Sequence, residues 1–304
     1  MALRITAERP GDEDAIAEIV CKAFDSSLEA NIVSGMRLHY PTFDRRFSLV
    51  AWDGEDCVGH ALFTPTRLRL LGEPVLALGV GPVAVVPERQ RQGIGSELMR
   101  HGHELGRREG FSLAFLVGHP EYYPRFGYQA CYGFAEITVD TEKLPGPSQR
   151  LFGRPVRPAD LPWLAHRFAA EWADVDFAPI WGTTLAEWTA PGVSAVVWCT
   201  GEGARAAYML WKHPGECLVL LAEDPHLARD AIAQWRPRTL AHHPSGWLAR
   251  QVVDPAWGHA TVEVSEAAMA CELREGVLHR YLSAVDARLR PPGSTVWPLP
   301  FLVG

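Results

Sequence analysis

Polar and apolar positions alternate over residues 3–8, and Ile16, Ile19, Val20, Ala23 and Phe24 then recur at helical spacing behind a helix start at Gly11 and Asp12. This predicts a strand followed by an amphipathic helix. Two β-rich runs, 47–52 and 57–64, flank Asp53-Gly54-Glu55-Asp56, whose composition favours a tight hairpin turn. A third run, 68–71, extends this antiparallel meander past Pro65. Residues 76–86 are nearly all apolar or glycine, as in a central strand covered on both faces. Pro82 lies inside that run and predicts a bulge or break, because proline cannot donate to a ladder. Beyond a short segment, 87–95, the residues Ile94, Leu98, Gly102 and Leu105 form one stripe of a helix with Arg100, Glu104, Arg107 and Arg108 outside it, and Gly110 ends it. Residues 111–117 read as another buried strand, closed by Gly118-His119-Pro120. The simplest architecture for this order is an α/β mixed sheet with helices on its faces.

The composition changes after residue 140, where Pro145, Pro147, Pro155 and Pro158 gather with Gly146 and Gly153. The expected organisation is a first domain over 1–140, a linker over 141–160 and a second α/β domain over 161–304. The second half opens on Val156-Arg157-Pro158-Ala159-Asp160, a faint echo of the opening of the first. It continues with strand-like runs at 193–199, 204–211 and 217–222 and a helical run at 224–235. It reads either as a degenerate copy of the first fold or as an insertion over 141–265. Its tryptophans, from Trp163 to Trp257, read as core.

A chain of 304 residues, 47% hydrophobic, has enough apolar surface for two ordinary domains. Its 29 basic and 36 acidic residues leave a net charge of −7, which argues against a nucleic-acid binder. Neither a signal-peptide pattern nor an apolar run of bilayer length is present, so the expected home is cytoplasmic, without membrane attachment. The cysteines at 21, 57, 131, 199, 217 and 271 include no C-x-x-C pair, and His101 and His103 point in different directions on a helix. Reduced, packed thiols and no metal site are the expectation.

The segment with chemistry in it runs from Val83 to Ser96, an apolar strand passing through a loop into a helix. Such a junction points unpaired N–H groups and the positive end of a helix dipole at one place, which suits an anion. Gly93 and Gly95 let a diphosphate approach the backbone, and Arg91 and Arg89 can add charge at the rim. No lysine follows the glycines, which excludes a Walker-type loop, and Gly93-x-Gly95-x-x-Leu98 lacks the third glycine of a dinucleotide fingerprint. On spacing alone an ordinary tight turn remains the alternative.

Gln90-x-x-Gly93-x-Gly95, after a strand ending in Val86-Pro87, resembles the acetyl-CoA signature of the GNAT N-acetyltransferases. The element Tyr122-Tyr123-Pro124-Arg125-Phe126-Gly127-Tyr128 is similar to the Tyr-Tyr-x-Arg-Phe-Gly-Phe element of one bacterial branch of that superfamily. The resemblance covers roughly residues 3–135 and implies a GNAT-like acyl-CoA N-acyltransferase fold. The residues around 268–278 likewise resemble the way single-domain members of that branch finish. By this resemblance, backbone groups of Val83, Ala84 and Val85 hold the pantetheine arm of acetyl-CoA, the cosubstrate, as an added strand would. Amides across Arg91, Gln92, Gly93, Ile94, Gly95 and Ser96 hold its pyrophosphate, and no metal is needed. Tyr123 falls where many members place the acid that protonates the departing thiolate. Members often carry the general base as a carboxylate on the central strand, but 76–85 contains none; His119 is the best local candidate, with Glu121 behind it. The implied activity is transfer of an acetyl group to a primary amine by direct attack in a ternary complex. The alternative is a non-catalytic acyl-CoA-binding or regulatory protein. The expected partner is a small-molecule or peptide amine, and a homo-oligomer is compatible with the sequence.

Overall fold

The computed structural model describes residues 3–190, 193–213, 215–274 and 276–297. The chain opens with β1 (Arg4–Ala7), α1 (Glu13–Phe24) and α2 (Leu28–His39), then lays down a meander of β2 (Ser48–Asp53), β3 (Asp56–Leu70) and β4 (Glu73–Val85). There follow α3 (Ile94–Arg108), β5 (Leu113–Val117), β6 (Gln129–Ala130) and β7 (Tyr132–Val139). The second half supplies β8 (Phe152–Pro155), α4 (Leu161–Glu171), β9 (Ser194–Cys199), β10 (Arg205–His213), β11 (Glu216–Ala222), α5 (Pro225–Trp235) and β12 (Thr239–Leu240). It ends with α6 (Trp247–Gln251), β13 (Gly258–Val264), β14 (Ala268–Glu272), α7 (Val277–Asp286) and β15 (Gly293–Ser294). No helix among the described residues is long and apolar enough to cross a membrane.

The expected hairpin forms at Gly54, whose φ of 66° suits a tight turn between Asp53 and Asp56. The runs on either side of Pro65, expected as two strands, are one. β2 pairs with β3 only as far as Leu62, so at Pro65 just β4 remains as a ladder partner, and the missing N–H breaks no ladder on the other side.

Two sheets result, ordered β1-β2-β3-β4-β5-β14-β6 and β8-β9-β10-β11-β12-β7-β13. Along these orders the pairings follow one scheme, antiparallel neighbours except for one parallel contact, β4 with β5 and β11 with β12; in the second sheet β15 also pairs with β7, in parallel. Helices occupy matching places, α1 and α2 or α4 after the first strand and α3 or α5 between the parallel strands. The second half therefore repeats the layout of the first. The sixth position is exchanged: β14, from the end of the chain, sits against β5, and β7, from the first half, sits against β12.

One face of the first sheet packs on α3 through Leu98, Met99 and Phe63, and the other on α1 and α2 through Ile16, Val20, Val33 and Met36. Gly102 keeps α3 close, since a β-carbon there would lie 2.0 Å from the Phe63 ring. Residues 176–180 bond to the far end of β3, with Arg69 N donating to Ala178 O at 2.8 Å and Phe177 N to Arg69 O at 2.8 Å. Asp176 accepts from Leu71 N and from Arg290 Nε, both at 2.6 Å, and Phe177 stacks on Tyr132 at 4.7 Å. In the second half Trp172, Trp181, Trp188, Trp198 and Trp257 are buried as expected, whereas Trp163, Trp211 and Trp247 are half-buried and Trp235 is exposed.

Under the first sheet Ser48 donates to Glu8 Oε2 at 2.5 Å, which spends its one proton, so His60 Nε2, 2.9 Å away, must donate to Ser48 Oγ. Burial, with Arg37 adding, pulls the His60 pKa down to about 3, so the ring is neutral, with Nδ1 unpartnered among the described residues. His103, bonded to Tyr128 at 2.9 Å, is held at about 4 by burial and by Arg107. Unfolded histidines take up a proton near ~6.5. Between that value and these native ones the unfolded chain binds more protons, so stability is lost as pH falls through this window. The urea midpoint is expected to be lower at pH 5 than at pH 7; an equal midpoint would contradict this assignment.

Candidate active site

β4 and β5 pair only where Ala77, Leu78 and Gly79 meet Leu113, Ala114 and Phe115. Past Gly79, β4 carries the bulge expected at Pro82: Phe63 faces Val80 and Ala61 faces Val83, so Gly81 and Pro82 stand opposite Leu62 alone. The ladder to β5 is not resumed. Val86 N donates to Val58 O at 3.1 Å, so by strand alternation the N–H and C=O groups of Val83 and Val85 face away from β3, into the opening. The Gln90 amide donates to Val85 O at 3.1 Å from that side. Ala84 has the opposite phase, and its side chain is buried under α1 and α2.

The loop after β4 turns through Arg91, at φ 60°, and Gly93, at φ 89°, the residue that starts α3. No side chain caps this helix, and its first internal bond is Glu97 N to Gly93 O at 3.0 Å. The N–H groups of Ile94, Gly95 and Ser96 therefore have no intrahelical acceptor. Gly95 leaves room for Tyr122, whose hydroxyl would lie 2.8 Å from a β-carbon there and would have to move aside. A cleft of about 540 Å³ opens here, lined by Val83, Val85, Arg91, Gly93, Ile94, Gly95 and Ser96 on one side and by His119, Tyr122, Tyr123 and Arg125 on the other. Of the cofactor residues expected from sequence, Ala84 and Gln92 do not line it. Gln92 is turned to the loop itself, donating to Glu88 O and accepting from Arg89 Nε, both at 3.1 Å. Arg89 reaches the cleft but is tied to Asp53 at 2.7 Å.

The corresponding junction in the second half is built differently. Asp224 caps α5, its carboxylate accepting from His226 N at 2.8 Å and Leu227 N at 2.9 Å. The helix start left uncapped in the first half holds a carboxylate here, and no glycine loop precedes it.

Tyr123 begins a short helical turn, Tyr123–Phe126, that ends on Gly127 at φ 86°. Its ring lies against the end of β5, where a β-carbon on Gly118 would come within 2.3 Å. Burial, with Tyr122 adding, pushes its pKa up to about 12, so the phenol keeps its proton at neutral pH. Tyr122 meets Tyr123 edge-on at 5.0 Å and carries the Arg125 guanidinium on its face at 4.5 Å.

A second cleft, of about 380 Å³, lies between the β4 bulge, the end of β5 and the helices α1 and α2. Phe24, Glu29, Ile32 and Trp297 line it, and it shares Val83, His119 and Tyr123 with the first. The two residues singled out for proton transfer thus stand where the clefts meet, His119 exposed and Tyr123 half-buried. Glu121 is exposed and lines neither. Sequence reasoning missed Tyr122 and Arg125 as wall residues, although both lie in the quoted motif. It also missed Glu29 and Trp297, which no local pattern connects with the loop. Among the described residues no cluster of three or more His, Cys, Asp or Glu could hold a metal.

Residues 4–131 match the acetyltransferase (GNAT) domain family model. The uncharacterized N-acetyltransferase YjhQ of Escherichia coli K12 is 36% identical over 122 residues, covering 40% of this chain and 67% of that one. The uncharacterized N-acetyltransferase YhbS of the same organism is 29% identical over 126 residues, 41% of this chain and 72% of the relative. Among solved structures, a probable N-acyltransferase of Enterococcus faecalis superposes with a TM-score of 0.67 at 16% identity, covering 90% of this chain and 73% of the other. That match extends the fold likeness across both sheets. The glycine loop, the splayed strands and the tyrosine turn all fall within the matched residues, and the chain belongs to the GNAT family of N-acetyltransferases.

Proposed function

We propose that the protein transfers an acetyl group from acetyl-CoA to a primary amine by direct attack in a ternary complex. The observation that carries this reading is the meeting of two clefts at His119 and Tyr123. The first cleft fits the cosubstrate. The uncapped amides of Ile94, Gly95 and Ser96 can receive a pyrophosphate, with Arg91 and Arg125 supplying charge. The outward-facing edges of Val83 and Val85 can bond an extended amide-bearing arm. The second cleft is left for the amine.

In this reading His119 takes the proton that the amine nitrogen loses as it forms the new bond to the acyl carbon. Tyr123 gives its proton to the sulfur as the carbon–sulfur bond breaks. The step is read without an acyl-enzyme, because among the described residues neither cleft lining has a cysteine or serine apart from Ser96 at the phosphate end. We further read the chain as two GNAT-like units that exchange their sixth strands, with cosubstrate and catalysis confined to the first.

Incubating the purified chain with acetyl-CoA and a panel of primary amines, while following thiol release, tests the reading. Amine-dependent release with mass-confirmed acetylamine is expected. Acetyl-CoA binding without release on any amine would favour a protein that only senses acyl-CoA.

A further inference from the structure

The second cleft has an uneven chemistry. Its walls are mostly apolar, with the rings of Phe24, Tyr123 and Trp297 and the aliphatic side chains of Ile32 and Val117. Trp297 is held in place by stacking on Phe115 at 5.2 Å. Glu29, in the first turn of α2, is the one acidic side chain on this lining, and no lysine or arginine joins it among the described residues. Its Oε2 is shut away from solvent without a hydrogen-bond partner among the described residues. A buried acceptor left unpaired is costly, and the side chain that carries it lines the cleft, so a donor that arrives with a ligand can satisfy it once the carboxylate turns toward it.

Resting on the acetyl-transfer reading above, we propose that Glu29 is the acceptor-recognition residue, and that the acceptor is a cationic amine with an aromatic or bulky apolar body and no acid group. Three chemical features select it. The carboxylate attracts an ammonium and accepts its hydrogen bond, and the bound ammonium sheds one proton to water before the free amine attacks and gives its second to His119. The rings accommodate the apolar body and favour a neighbouring cation through their faces. An acceptor that also carries a carboxylate would meet Glu29 with like charge and find no guanidinium or ammonium to pair with. α-Amino acids are thereby disfavoured against the corresponding arylalkylamines.

The test uses the full chain loaded with CoA, titrated calorimetrically with tryptamine and with tryptophan, alongside thiol release from acetyl-CoA on the same two amines. The parent is expected to bind tryptamine at least about tenfold more tightly than tryptophan, and Glu29→Gln to lose about tenfold in tryptamine affinity while CoA affinity is unchanged. Val117→Lys, at an exposed position on the same lining, is expected to weaken tryptamine as well, independently of how Glu29→Gln folds. No tryptamine binding by the CoA-loaded parent, equal affinity for the two amines, or tryptamine affinity unmoved by Glu29→Gln in a variant that still binds CoA would overturn the proposal. Because binding is read without turnover, absence of thiol release with binding intact would count against acetyl transfer and leave Glu29 recognition standing.

Discussion

Acetyl-CoA binding is expected to be lost in Gly93→Glu, with affinity reduced by more than about a hundredfold. Two effects act together. Gly93 sits at φ 89°, where a side chain adds strain of about 1–2 kcal/mol. The new carboxylate would also stand at the start of α3, beside the unpaired amides of Ile94, Gly95 and Ser96, and take the place of a pyrophosphate. The second half carries that arrangement naturally, with Asp224 bonded into the start of α5. Nothing within 4 Å of a β-carbon at Gly93 would be displaced, so the fold should survive. Calorimetry with acetyl-CoA and a thermal melt check both parts. Retained affinity in a folded variant would refute the assignment of the loop.

Tyr123→Phe is expected to lower kcat by about a hundredfold or more, the usual worth of a positioned proton donor, while the affinity for acetyl-CoA changes little. The phenyl ring keeps the edge-on contacts to Tyr122 at 5.0 Å and Tyr128 at 5.7 Å, so the wall of the cleft remains. Only the hydroxyl is removed, the group that burial keeps protonated with its pKa near 12. Steady-state kinetics with a titration of acetyl-CoA separates the two quantities. An equal loss in both would make Tyr123 a binding residue rather than an acid.

What could be read from the chain alone was whatever short-range chemistry determines. The turn at Gly54, the bulge at Pro82 and the glycine loop before α3 each follow from a few adjacent residues with few conformational options. The cofactor cleft was legible for the same reason, since most of its wall lies in two contiguous motifs. Ala84 shows where such reading stops. Which strand residues turn their backbone into the cleft depends on pairing phase with β3, and that phase is set across the hairpin. The exchange of β7 and β14 was out of reach as well, because a strand's apolar pattern shows that it pairs without showing with which sheet. The same holds for the second cleft, where Glu29 and Trp297 meet from opposite ends of the chain.

The most direct measurement is the stoichiometry of acetyl-CoA binding to the full chain by isothermal titration calorimetry, repeated with free CoA. The expected result is one molecule per chain for each ligand, with micromolar affinity, since of the two corresponding junctions the one before α3 offers unpaired amides and glycines while Asp224 occupies its counterpart before α5. No binding by the well-folded chain would mean that the first cleft is not a cosubstrate site, and two molecules per chain would mean that the second half kept a site of its own.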